Sequence, residues 1–221
     1  QILGREFPIA MFDGWFVTRL VCPETCSLNE NFNSPQVKHA LQGITQAGLL
    51  APKIKTIAED LNSLACAQSF QPSWQILYTT FLDTCSPLRC GETLAPIPLY
   101  RTPEAISNGD RKSALKWQEE WINCDELQMN GSALSSPALK EMGDIDSRLY
   151  YRGSNLCKRI QHITKVPTYY YLYRVAGKSL QAEQQRKCPG CGGEWKLPEP
   201  LFDIFDFKCD PCRLVSNLSW D

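Results

Sequence analysis

The sequence predicts an α+β protein: a mixed helix/sheet N-terminal domain over residues 1–180, then a small cysteine-bearing module over residues 181–221. Three observations carry this expectation. Strand-like and helix-like periodicities are interspersed up to about residue 180, with no internal repeat. Two Cys-x2-Cys pairs then stand 17 residues apart, in "KCPGCGGEW" and "FKCDPCR". The chain has 221 residues, 43% apolar and 21% charged, which suffices for one sizeable core and an appended unit.

The elements follow in order. "FPIAMFDGWFVTRLV" is expected to form a hairpin, with Asp13-Gly14 as a type I′ turn between two apolar, aromatic-rich arms. The chain opens at Gln1 inside what reads as a strand, so further residues are expected upstream. In "SPQVKHALQGITQAG", Ser34 is the N-cap and Pro35 the first helical residue. Val37, Ala40, Leu41 and Ile44 share one face, and Gly48 ends the helix. "KIKTI" alternates, which places Ile54 and Ile57 on a short irregular strand. "WQILYTTF" predicts another, with Trp74, Ile76 and Tyr78 on one side.

From Leu82 to Pro103 the pattern breaks. Pro87, Pro96, Pro98 and Pro103 argue for an irregular connection, and a loop of this length is often functional. Asn108-Gly109-Asp110 opens a helix that lines up Ala114, Trp117, Trp121 and Cys124 and ends near Asn130-Gly131. Ser136-Pro137 begins a longer helix carrying Leu139, Met142, Ile145, Leu149, Leu156, Ile160 and Ile163. Pro167 closes it, and "TYYYLYRV" is an aromatic, β-prone strand.

The two cysteine pairs point to a metal. A two-residue gap lets both sulfurs of a tight turn face one ion, with backbone N–H groups aimed at the sulfurs. The 17 residues between the pairs allow two short strands to bring the turns together. Cys188, Cys191, Cys209 and Cys212 are therefore expected to hold one structural Zn2+ as a C-terminal four-cysteine zinc ribbon, with iron as the other metal suited to four sulfurs. Four protein thiolates leave no open coordination position, so the metal holds the fold and catalyses nothing. The remaining cysteines bring the total to eleven, an odd number that argues against a full disulfide framework. Thiols, metal and the absence of a secretory pattern predict a cytoplasmic location, and no apolar run of about 18 residues predicts a membrane span.

The net charge of −1 hides an uneven distribution. Residues 146–187 carry nine basic groups against Asp146 and Glu183. On one helix, Arg148, Arg152 and Arg159 fall within about 40° of each other. Arg174, Lys178, Arg186 and Lys187 follow, with Tyr169, Tyr170, Tyr171 and Tyr173 between them. These seven cations are candidate phosphate ligands, and exposed tyrosines can stack on unpaired bases. The plainer alternatives are a solvated helix face and tyrosines that pack in the core.

Signals for catalysis are sparse. His39 and His162 each lack a companion nucleophile or carboxylate at recognisable spacing. Arg89 beside Cys90 is the one arrangement that suggests an activated thiol, against a structural loop with buried cysteines.

The stretches "GREFPIA", "PSWQILYTT", "CSPLRCGE", "PIPLY", "KWQEEW", "LQMNG", "PTYYYLYR", "KCPGCGGEW" and "DIFDFKCDPCRLVSNLSWD" together resemble a family of bacterial zinc-ribbon proteins. That family carries a suggested nucleic-acid-binding role and is a domain of unknown function. The resemblance runs through nearly the whole chain and implies a cytoplasmic bacterial protein with the four cysteines as ribbon ligands. Three functions are thus in play. The first is a zinc-ribbon protein that binds RNA or single strands in preference to sequence-specific duplex DNA. The second is an adaptor docking through the ribbon on a large protein or ribonucleoprotein such as ribosome or RNA polymerase. The third is an enzyme using Cys90 and Arg89.

Overall fold

A computed structural model describes residues 8–68, 71–103, 110–131 and 133–220. Gln1, Asn108 and Gly109, on which two sequence expectations rest, lie outside these residues. Among them a six-stranded mixed sheet forms the centre, in the order β4-β3-β5-β8-β7-β6. Strand β3 (Gln75–Leu77) runs antiparallel to β4 (Leu88–Cys90) and parallel to β5 (Thr168–Leu172). β5 in turn pairs in parallel with β8 (Leu214–Ser216), opposing Tyr171 to Val215. β7 (Phe205–Cys209) and β6 (Lys196–Leu201) complete the sheet by antiparallel pairing. The cysteine-bearing tail therefore contributes three strands to the sheet that holds β3 and β5, and the expected boundary near residue 180 falls between β5 and β6.

Every residue of β5 is buried, so side chains pack on both faces of the sheet. Tyr170 meets Trp117 and Tyr150 on the helical side. Tyr171 meets Tyr78 and Phe205, and Tyr169 meets Trp74. The tyrosine run is thus core, because alternate side chains of a central strand have no open face to occupy.

Helix α1 (Pro35–Gln46) follows the expected rules: Ser34 Oγ accepts the Val37 N–H, and Pro35 opens the first turn. Helix α2 (Asp110–Met129) buries Ala114, Trp117 and Trp121 as the sequence predicts. The single long helix expected after Ser136 is two: α3 (Ser135–Gly143) and α4 (Arg148–Thr164). Asp144 Oδ1 accepts the Asp146 N–H, and Ser147 Oγ accepts the Tyr150 N–H. These side chains compete with helical bonding at the break and cap the second helix. α4 presses closely on the sheet at Gly153, where a Cβ would come within 2.1 Å of the Tyr170 ring. Only glycine lets the helix approach this far. Helix α5 (Leu180–Gln184) is a short turn before the cysteines.

Two further expectations are corrected. Residues 51–60 form no strand, and Ile54 and Ile57 are exposed, because no neighbouring strand pairs with them among the described residues. The 82–103 stretch is more ordered than its prolines suggest. It contains β4 and a 3-10 turn at Leu99–Arg101, with Leu88, Ile97 and Leu99 buried. The prolines sit at the ends of these pieces, and Arg89 forms an isolated bridge with Pro96 at the sheet edge. Buried Gln118 of α2 pins the loop by donating to the Cys85 carbonyl at 2.8 Å.

Strands β1 (Ile9–Phe12) and β2 (Trp15–Thr18) form the expected hairpin, closed by Asp13 and Gly14 at positive φ. All eight strand residues are exposed. Replacing Phe12 and Phe16 with serine is expected to change stability by no more than about 0.5 kcal/mol per site. Phe205→Ala, in the core, is expected to cost about 3–5 kcal/mol. Thermal melts compare the two, and a large loss from the hairpin variant would show that this hairpin is covered in solution.

Candidate metal centre and basic helix

The first cysteine turn is built by its own backbone. The Gly192 N–H donates to the Cys188 carbonyl at 2.8 Å, and the Cys188 N–H donates to the Gly193 carbonyl at 2.9 Å. A Cβ on Gly190 would lie 2.8 Å from Cys212 Sγ, so the residue must be glycine for the two turns to meet. The second turn leaves β7 at Cys209 and enters β8 through Arg213, which adopts a left-handed φ of 55°.

All four sulfurs lie within 4.8 Å of one another, with Cys191 and Cys209 at 3.6 Å. Sulfurs placed tetrahedrally about 2.3 Å from one ion would be about 3.8 Å apart, so the cluster fits a single metal. Cys188 and Cys209 are buried, whereas Cys191 faces solvent. The Gly193 N–H pulls the Cys191 thiol below its usual range. Burial pushes Cys209 far up, and burial with the neighbouring Cys191 pushes Cys212 to about 11. A metal binding here therefore displaces protons.

A buried ion network seats this centre on the sheet. Glu183 is 3% exposed and accepts from Arg174 Nε at 3.1 Å and Arg186 Nε at 3.1 Å. The Arg186 guanidinium lies 4.8 Å above the Trp195 ring and 4.3 Å above Phe207, and also donates to Ser216 Oγ and the Asn217 carbonyl. Burial lowers its pKa. The Trp195 indole N–H donates to the Arg186 carbonyl at 2.8 Å. Arg174 and Arg186, expected as phosphate contacts, are thus turned toward a carboxylate inside the fold. Lys187 pairs at the surface with Glu194, and Lys178 is exposed.

α4 carries the other three expected cations. Arg148, Arg152 and Arg159 are all exposed, on a helix whose opposite side buries Leu149, Gly153, Leu156, Cys157 and Ile160. Arg152 pairs with Glu120 of α2. The same outward arc holds Tyr151, Asn155, Lys158 and His162, with Lys165 just past the helix end, and α4 contains no acidic residue. Tyr151 is 67% exposed. Sequence reasoning passed over Tyr151 because the Tyr169–Tyr173 run drew the attention. Its position 60° from Arg148 on a helical projection was the available signal.

The Cys90–Arg89 pair is not brought together. Adjacent strand residues face opposite sides. Arg89, 1% exposed, sits 2.8 Å from Asp83, while Cys90 Sγ lies 2.9 Å from Glu92 Oε2. Both are buried.

Fold and sulfur cluster together define a mixed helix-and-sheet protein with a four-cysteine cluster fitted to one metal ion near its C-terminus. Residues 69–173 match a family model described as a domain of unknown function, DUF2310. Residues 177–221 and 1–58 match two further domains of unknown function, DUF8594 and DUF8589. A Haemophilus influenzae relative named "Uncharacterized protein" is 46% identical over 227 residues, covering 100% of this chain and 86% of its own. A second relative of the same organism and the same printed name is 47% identical over 179 residues, covering 80% of this chain and 87% of its own. No solved structure matches. The chain belongs to one bacterial family with these Haemophilus influenzae proteins. Among the described residues no helix is long and apolar enough to cross a membrane.

Proposed function

We propose that the protein binds RNA or single-stranded DNA along the outward face of α4, on a sheet held at one end by a structural zinc. The single observation that carries this reading is the composition of that face. Its cations form one continuous arc on a rigid helix, with an exposed tyrosine and no acid of its own. Phosphates are attracted to such an arc, and an exposed ring offers a stacking surface. Zinc is the metal best suited to four thiolates in a closed tetrahedron, and with no open position its role is structural. Cys188, Cys191, Cys209 and Cys212 would hold it. Eleven free cysteines fit the reducing bacterial cytoplasm.

The adaptor reading needs exposed aromatics or an open edge on the cysteine module. Trp195, Phe205 and Phe207 are buried there, leaving Trp220 as the module's exposed aromatic among the described residues, and edge strand β6 carries Pro198 and Pro200. The enzyme reading needs an accessible thiol, and Cys90 is buried.

The test is fluorescence anisotropy with labelled single-stranded RNA and DNA pools over a range of salt. Binding is expected to fall steeply with salt. The double variant Arg148→Glu, Lys158→Glu is expected to weaken it at least tenfold and to flatten the salt slope by about 1.4, from two lost phosphate contacts. Absence of binding at low salt, or binding untouched by the double reversal, would overturn the proposal.

A further inference from the structure

A groove opens where β5 ends, with a volume of about 390 Å³. We propose that this groove holds the base and phosphate of one nucleotide. Its walls come from three places: the end of α3 and the break that follows it (Lys140, Asp144, Ile145), the exit of β5 (Tyr173, Arg174), and Pro189 of the first cysteine turn.

Position supports a binding role. β3, β5 and β8 are parallel neighbours, and open sheets of parallel strands bind ligands in the crevice beyond the strands' carboxyl ends. The volume falls within the range of small-ligand sites.

Chemistry selects the ligand. Ile145, Tyr173 and Pro189 offer flat apolar surface of the kind a base covers. Lys140 and Arg174 supply two cations for a phosphate. Glu183 engages Nε and Nη2 of Arg174, and no partner stands at Nη1 among the described residues. Asp144 gives its Oδ1 to the Asp146 N–H and keeps Oδ2 as an acceptor, which suits an exocyclic amino group on the base.

The nucleotide could arrive free or as an unstacked unit of a strand. The second source rests on the α4 reading: Asp144 and Ile145 stand four and three residues before Arg148, where the basic arc begins. A strand lying along α4 would pass the mouth of the groove.

The experiment is titration calorimetry of the metal-loaded full chain with AMP, GMP, CMP and UMP, alongside the labelled strands used for α4. At least one monophosphate with an amino-bearing base is expected to bind saturably. Lys140→Glu and, separately, the groove-filling Ile145→Trp are each expected to weaken it at least tenfold. Lys140 is exposed, so its variant keeps the fold, and thermal melts verify both. Arg148→Glu with Lys158→Glu is expected to weaken strands while leaving the free monophosphate unchanged. Failure of all four monophosphates to bind, or binding unaffected by both groove variants, overturns the groove proposal even where strands still bind through α4. Unaltered protein that binds a monophosphate but no strand at low salt would remove the α4 reading and keep the groove.

Discussion

Removing the metal with a chelator is expected to unravel β6, β7 and β8 and to lower the melting temperature by well over 10 °C. The physical reason is where a metal held by the four cysteines would sit. Cys209 ends β7 and Cys212 stands two residues before the start of β8, so an ion held by both would fix the turn that feeds a strand paired directly to β5. Structural zinc in small modules contributes roughly 10–16 kcal/mol of apparent binding energy at neutral pH, far above a typical single-contact contribution. Phe205, Phe207, Leu214 and Val215 are fully buried on these strands and would be uncovered together. Trp195, buried against Phe207, reports the change as a red shift in its emission. Cys209→Ser is expected to reproduce it, while Cys26→Ser, at an exposed thiol far along the chain, leaves both signals unchanged.

Glu183→Ala is expected to destabilise the protein by about 3 kcal/mol, the low end of the range for breaking a buried ion pair. The low end applies because Arg174 is about a third exposed and solvent screens part of its charge. Arg186 is the costly partner. Its guanidinium lies over the packed Trp195–Phe207 pair, and without Glu183 it keeps only Ser216 Oγ and the Asn217 carbonyl. For a chain of this length that loss corresponds to roughly 6–12 °C in melting temperature. Adding Arg186→Met should recover part of it, because the unpaired charge is then gone. Strand affinity per folded molecule is expected to be unchanged in Glu183→Ala. A parallel loss of affinity would place Arg186 among the phosphate contacts.

Much of this fold was written in local signals. Ser34-Pro35 at the start of α1, Asp13-Gly14 in the hairpin and the tryptophan spacing of α2 act within a few residues, so the sequence declares them. The sulfur cluster was legible for the same reason, since Cys-x2-Cys fixes a turn regardless of what surrounds it. What stayed hidden depends on distant partners. β4 is a strand because Gln75–Leu77 pairs with it, and residues 51–60 are not one because no strand pairs with them among the described residues. The break between α3 and α4 was masked by apolar residues that keep helical spacing straight across Asp144–Ser147. Charge was the least informative letter. Arg152 and Arg186 look alike in the sequence, yet one stands at the surface and the other lies over a pair of packed rings beside a buried carboxylate.

The most direct test of the central claim is X-ray absorption at the zinc edge, on protein purified without added metal and quantified for metal per chain. One zinc per chain with four sulfurs at about 2.3 Å is the expected result. Metal well below one equivalent, or a coordination shell containing nitrogen or oxygen, would contradict a closed four-cysteine site joining the two turns.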